Sequence, residues 1–121
     1  MKEKKFLTKA EHQVMLILWN LKEKGGFTND ILKGYEEPKP AYTTLATFLK
    51  ILVNKGFVKS SKVGSMLYFT PKVSKMDYCK IVMEKACDDY FDGDIVKFFQ
   101  FLAKNNELTA EQKEEVLAAL K

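Results

Sequence analysis

The chain has 121 residues, 46% hydrophobic and 30% charged, enough apolar material for one small domain with an appendage and too much for a disordered chain. No apolar run approaches the ~20 residues of a membrane span. The charged start Met1-Lys2-Glu3-Lys4-Lys5 is not followed by the apolar stretch of a secretory signal, so the expected location is the cytoplasm.

Charge is unevenly spread: residues 1–72 hold 13 lysines against 6 acids, and residues 73–121 hold 7 against 10. A basic front half is suited to a polyanion, or is simply a solvated lysine surface. Arginine is absent throughout. The commonest bidentate guanine reader is therefore missing, and any base recognition must use Lys, Thr, Asn, Tyr or the shape of the nucleic acid.

In chain order, Thr8-Lys9-Ala10-Glu11 has the spacing of a capping box. The helix it opens carries Val14, Ile17, Leu18 and Leu21 on one face with Trp19 at its flank, and Gly25-Gly26 is the expected stop. Phe27 reads as a short extended link. Thr28 reads as the N-cap of a second helix, Asn29 to about Tyr35, whose free amides would offer a site for a phosphate. After the proline-rich turn from Glu36 to Pro40, a third helix is expected from near Ala41 to Gly56. Two β-like runs follow, Phe57–Val63 and Met66–Thr70, joined by Gly64-Ser65 in the manner of a tight hairpin. Pro71 closes the hairpin, and a domain boundary is expected there.

Beyond it, Ser74 caps a fourth helix, with Asp77 at the capping-box position. Cys79, Val82, Met83, Ala86 and Tyr90 share one side of this helix, and Asp92-Gly93-Asp94 breaks it. A fifth helix from about Ile95 to Lys104 shows Ile95, Phe98, Phe99 and Leu102 on one face, with Val96 and Phe101 elsewhere. A helix apolar on several sides must be covered on several sides. Thr109-Ala110-Glu111-Gln112 opens a last helix, with Val116, Leu117 and Leu120 expected inward.

The order helix, helix, helix, hairpin is the winged helix-turn-helix layout. Around the third helix, Leu45, Phe48, Leu49 and Leu52 group together, and Thr43, Thr47, Lys50 and Asn54 group opposite. That polar face holds hydroxyls, an amide and an ammonium, and residues 41–55 contain no acid. A helix seated in a major groove needs short side chains, donors and no negative charge. Lys59, Lys62 and the Gly64-Ser65 tip would form a wing over the sugar-phosphate backbone. The expected fold class is thus mostly α with a small β-hairpin wing, as a DNA-binding domain over residues 1–71 and a three-helix segment over residues 72–121.

Other functional classes fit less well. A winged-helix module that binds only protein is the alternative, and the acid-free third helix weighs against it. The single histidine, His12, lies on the polar side of the first helix without a cysteine or acid cluster at metal-ligand spacing, so no enzyme activity, metal or cofactor is expected. Cys79 and Cys87 are too few for a disulfide framework and lack CxxC spacing, and read as ordinary buried or half-buried thiols.

Several segments together resemble the penicillinase-repressor family of the BlaI/MecI type. They are Leu7-Thr8-Lys9-Ala10-Glu11 with Val14-Met15 and Leu18-Trp19, Thr44-Leu45-Ala46-Thr47-Phe48-Leu49 with Leu52, Lys55-Gly56-Phe57-Val58, and Tyr68 to Ser74. Tyr78, Phe91-Asp92-Gly93 and Leu108-Thr109 extend the match. The resemblance implies a homodimeric repressor of a palindromic double-stranded DNA operator. Its DNA contacts would be Thr28, Thr43, Thr44, Thr47, Lys50, Asn54, Lys59 and Lys62. Its last three helices would interlock between subunits through Val82, Met83, Tyr90, Ile95, Phe98, Phe99, Phe101, Leu102, Val116, Leu117 and Leu120. It also implies relief by a sensor protease cutting before a Phe in the fifth helix, here at Gln100–Phe101, where the family pattern has Asn. The cysteine motif of the copper-responsive relatives has no counterpart after Cys87.

Overall fold

The structure is a computed structural model that describes residues 6–121; the charged start, residues 1–5, lies outside them. Helix α1 (Lys9–Asn20) opens on the expected capping box: the Thr8 hydroxyl accepts from the Glu11 N–H, and Glu11 Oε1 accepts from the Thr8 N–H at 3.0 Å. It buries Glu11, Val14, Met15 and Leu18. The buried stripe is turned from the expected one, since Met15 is enclosed while Ile17 and Leu21 are only half-buried.

Helix α1 ends at Asn20, short of the two glycines, with Leu21 already extended at φ −69° and ψ 138°. Gly25 serves a different purpose. A Cβ there would lie 2.8 to 2.9 Å from Thr70 Cγ2, the Phe69 carbonyl oxygen and Tyr68 Cε1, so only glycine lets the chain pass this close to the sheet. The segment read as a link is strand β1 (Gly26–Phe27).

Helix α2 (Thr28–Leu32) is shorter than expected, and Thr28 is its first helical residue rather than its cap. Asp30 takes the Phe27 N–H instead, at 2.9 Å, and Thr28 is buried. Helix α3 (Tyr42–Lys55) buries Leu45, Leu49 and Leu52 completely against α1 and α2. It stops at Gly56, whose φ of +85° is the left-handed conformation of a glycine C-cap, and the Phe57 N–H returns to the Leu52 carbonyl at 3.0 Å.

Strands β2 (Val58–Val63) and β3 (Met66–Pro71) pair in register from Val58 opposite Pro71 to Val63 opposite Met66. The two-residue link fits a hairpin turn with positive φ at its first position, Gly64 at +64°. β1 pairs antiparallel with the other edge of β3, giving a three-stranded sheet in the order β1-β3-β2. Three helices closed by a small antiparallel sheet with a projecting hairpin make a winged helix, as expected, with one strand more than the sequence signalled.

Helix α4 (Lys75–Phe91) starts from Ser74, whose hydroxyl accepts from the Asp77 N–H at 3.0 Å. The chain divides into two compact units, one through Ile81 and one from Val82. Within the first unit Tyr78 anchors the start of α4. Its ring is buried beside Trp19, Phe57 and His12, its hydroxyl accepts from the Leu7 N–H at 2.8 Å, and the Trp19 indole N–H donates to the Val73 carbonyl at 2.9 Å.

In the second unit the break at Asp92-Gly93 is left-handed (φ +52° and +78°), and Asp94 caps helix α5 (Ile95–Asn105) by accepting from the Lys97 N–H at 3.2 Å. Phe91 stacks on Phe98 with ring centroids 5.5 Å apart and also meets Phe101 at 5.5 Å, so Phe101 is not wholly uncovered. Helix α6 (Ala110–Ala119) carries its capping box as expected. Its apolar side chains are not inward within this chain. Val116, Leu117 and Leu120 are exposed, as are Ile95, Val96, Phe99 and Leu102, and neither α5 nor α6 has a buried residue.

Candidate nucleic-acid interface

The enclosed leucines of α3 fix its rotation. With Leu45, Leu49 and Leu52 in the core, Thr43, Thr47, Lys50 and Asn54 must point away, and all four are exposed, as is Thr44. The Thr47 hydroxyl donates to the Thr43 carbonyl at 3.0 Å. Its proton is thus committed to the helix, and it faces outward as an acceptor with a methyl group. Thr28, expected among the contacts, is buried beside this surface.

The strand pleat separates the two wing lysines. Lys62 lies opposite Leu67 and shares the face of Val58, Ser60 and Phe69, which looks toward α3. Lys59 lies opposite Thr70 on the other face. The sequence could have shown this, since positions 59 and 62 differ in parity.

Between α3 and the wing runs an open cleft of about 480 Å³ that sequence reading missed, because it exists only where the two elements meet. Tyr42, Ala46, Lys50 and Val53 of α3 form one wall, Ser60 and the tip residues Ser65, Met66 and Leu67 the other, with Thr28 and Phe69 also lining it.

Behind this surface an ion pair joins α1 to the end of α3: Lys55 Nζ lies 2.6 Å from Glu11 Oε1. Burial alone would raise the Glu11 carboxyl. The hydrogen bond from Lys55, the Thr8 N–H, the Lys55 charge and the Thr8 hydroxyl together outweigh it, and the carboxyl titrates below its ordinary value. Elsewhere, burial followed by the negative Asp88 and Asp94 pushes the Cys87 thiol up, away from a reactive thiolate. Cys87 is the more buried of the two cysteines. Among the described residues no group of three His, Cys, Asp or Glu is placed to hold a metal, and no helix is long and apolar enough to cross a membrane.

The penicillinase repressor family model matches residues 7–121. The chain belongs to that family. Members of this BlaI/MecI-type family are DNA-binding regulators, not enzymes. The repressor chain is 24% identical over 115 residues to the penicillinase repressor of Bacillus licheniformis, covering 94% of this chain and 88% of that protein. Its fold is similar to the solution structure of the DNA-binding domain of the repressor BlaI, with a TM-score of 0.53 and 28% identity over 64% of this chain and 94% of that one. The complex structure of hsRosR-S4 shares the fold at a TM-score of 0.55 and 18% identity, covering 94% of this chain and 86% of that one.

Proposed function

We propose that the protein is a homodimeric repressor that occupies a palindromic double-stranded DNA operator and excludes polymerase by its presence, without chemistry. The observation that carries this reading is the exposed, acid-free outer face of α3, where Thr43, Thr44, Thr47, Lys50 and Asn54 stand together on a helix clamped from behind by three fully buried leucines. Laid in the major groove, this face offers hydroxyl, amide and ammonium groups to base edges and flanking phosphates. Lys62 extends toward the backbone from the α3 side of the wing, and Lys59 adds only longer-range attraction from the far side.

A second copy is supported by the apolar surface that α5 and α6 leave uncovered, with Phe99 52% and Leu117 60% exposed. Exposed apolar area of this kind marks an interface. Two-fold pairing would present two α3 helices, and hence call for two half-sites of inverted sequence.

The test is a mobility-shift titration of the full-length protein against a duplex selected from random DNA, repeated on sheared genomic DNA over a salt series. Thr47→Ala and Asn54→Ala should each weaken binding to the selected duplex by about 1–3 kcal/mol, where the side chain reads a base edge, and leave non-specific binding alone. Unchanged affinity in both variants would refute the helix-face assignment. Relief by proteolysis belongs to the same reading. Gln100 and Phe101 are both exposed, so a sensor protease could reach this bond once α5 unwinds locally. Mass spectrometry after incubation with that protease should show a cut between them, and an intact chain would remove this step.

A further inference from the structure

At the root of the hairpin, where Val58 pairs with Pro71, a second open cleft of about 510 Å³ lies between the end of α1, the loop after it and the first turn of α4. It stands apart from the wing tip, since the stretch of β3 from Met66 to Pro71 spans about 17 Å at ~3.4 Å per residue. All of its lining belongs to the winged-helix unit. Its volume falls in the range of small-molecule sites, roughly 300–1,000 Å³.

Two apolar groups and three ammonium groups define its chemistry. Trp19 is half-buried, its indole N–H donates to the Val73 carbonyl at 2.9 Å, and Tyr78 lies beside it with ring centroids 6.2 Å apart. The indole is therefore a fixed plate with no hydrogen left to offer a ligand. Met76, also in the lining, leaves a flexible apolar side chain 70% exposed. Lys24, Lys72 and Lys75 complete the wall, against the single carboxylate of Asp77. Lys55 and Lys85 each pair with a carboxylate, whereas among the described residues these three lysines have no ion pair. Lys24 holds φ +53°, a left-handed conformation that glycine adopts more readily. A turn alone calls for glycine there; the ammonium is what lysine adds.

We propose that this cleft binds a small aromatic carboxylate, with the ring against Trp19 and Met76 and the anion among the ammonium groups of Lys24, Lys72 and Lys75. Apolar surface supplies affinity for the ring, and the excess of positive charge selects the anion. Asp77 opposes the anion and keeps the affinity modest. The proposal is independent of the DNA-binding reading, because no lining residue belongs to α3 or to the wing tip.

Trp19 is the only tryptophan in the chain, so its indole N–H gives a single signal in a nitrogen–proton correlation spectrum and reports the site directly. The full-length protein is titrated with 2-naphthoate and separately with the uncharged 2-naphthamide, while calorimetry gives the affinities. Naphthoate should move the indole signal saturably, and the amide should bind about tenfold more weakly. Lys72→Ala and Lys75→Ala should each weaken naphthoate about twofold to fivefold, the span of an exposed ion pair. Lys24→Gly should do the same while thermal stability stays equal or rises, which separates loss of the ligand from loss of the fold. Met76→Ala should weaken both probes alike. Asp77→Asn should tighten naphthoate about twofold, a gain that no unfolding can imitate. An indole signal unmoved by millimolar naphthoate, or moved equally by the amide, would overturn the proposal. So would a salt slope of duplex binding lowered by about one unit in Lys72→Ala, because that ammonium would then belong to DNA.

Discussion

Glu11 is the side chain on which the DNA-binding unit most directly tests its energetics. Its carboxylate performs two tasks: it closes the α1 capping box on the Thr8 N–H at 3.0 Å and binds Lys55 at 2.6 Å, tying α1 to the end of α3. Its side chain is only 7% exposed, whereas that of Lys55 is 30% exposed and can regain water if the pair is broken. Glutamine is also a capping-box residue, so Glu11→Gln removes the ion pair and keeps the cap, at about 1–2 kcal/mol. Glu11→Ala removes both and should cost about 2–3 kcal/mol, since loss of a cap contributes about 1 more. Urea unfolding followed by circular dichroism at neutral pH measures both values. The pH dependence supplies the second arm. Because the folded carboxyl titrates below its ordinary value, its stabilisation is complete above the unfolded value of about 4.3 and disappears as pH falls through the lower folded value. The glutamine variant should therefore run parallel to wild type above pH ~4.5 and lose less stability than wild type below it. Equal stability of Glu11→Gln and wild type at pH 7, with equal acid slopes, would refute the assignment.

Three further outcomes are expected. Gly56→Ala meets no atom within 4 Å, so its cost is conformational strain at φ +85°, about 1–2 kcal/mol by equilibrium unfolding, and a neutral result would contradict the left-handed cap. Lys62→Ala should lower the salt slope of DNA binding by about one unit and Lys59→Ala by clearly less, so equal slopes would undo the division of the wing into two faces. Phe99→Lys, at a residue left 52% exposed within the chain, should shift sedimentation from dimer to monomer and lower the helix content of the C-terminal unit with it; an unmoved sedimentation coefficient would take this face out of the interface.

Much of the fold was legible because its signals are local. Capping boxes at Thr8 and Thr109, the glycine after Lys55 and the Gly64-Ser65 connection each act over three or four residues, and each stands where the sequence placed it. What escaped depends on partners distant in the chain. Strand β1 is two residues long and has no periodicity to detect; it exists because β3 offers it an edge. Thr28 has the chemistry of a cap, but Asp30 competes for the same turn and Thr28 is drawn inward. Met15 is hard to rank above Ile17 from sequence, because a helical wheel gives angles between side chains and says nothing of where α2 and α3 press. On α3 the same wheel succeeds, since three leucines define one direction and the contrast with an acid-free opposite face leaves no other rotation.

The C-terminal helices illustrate the limit of single-chain reasoning. Their sequence demands cover on several sides, and the chain supplies it only around Phe91, Phe98 and Phe101. A unit with nothing buried in α5 or α6 cannot draw its stability from itself, so on the dimer reading its order rises with protein concentration. The same association joins two DNA-binding units, turning the second half-site contact into an intramolecular step. Loss of the α5–α6 surface would then act twice, unfolding the C-terminal unit and leaving each winged helix to bind its half-site alone. On that reading a cut at Gln100–Phe101, far in sequence from the proposed DNA contacts, would release the operator without altering one of them.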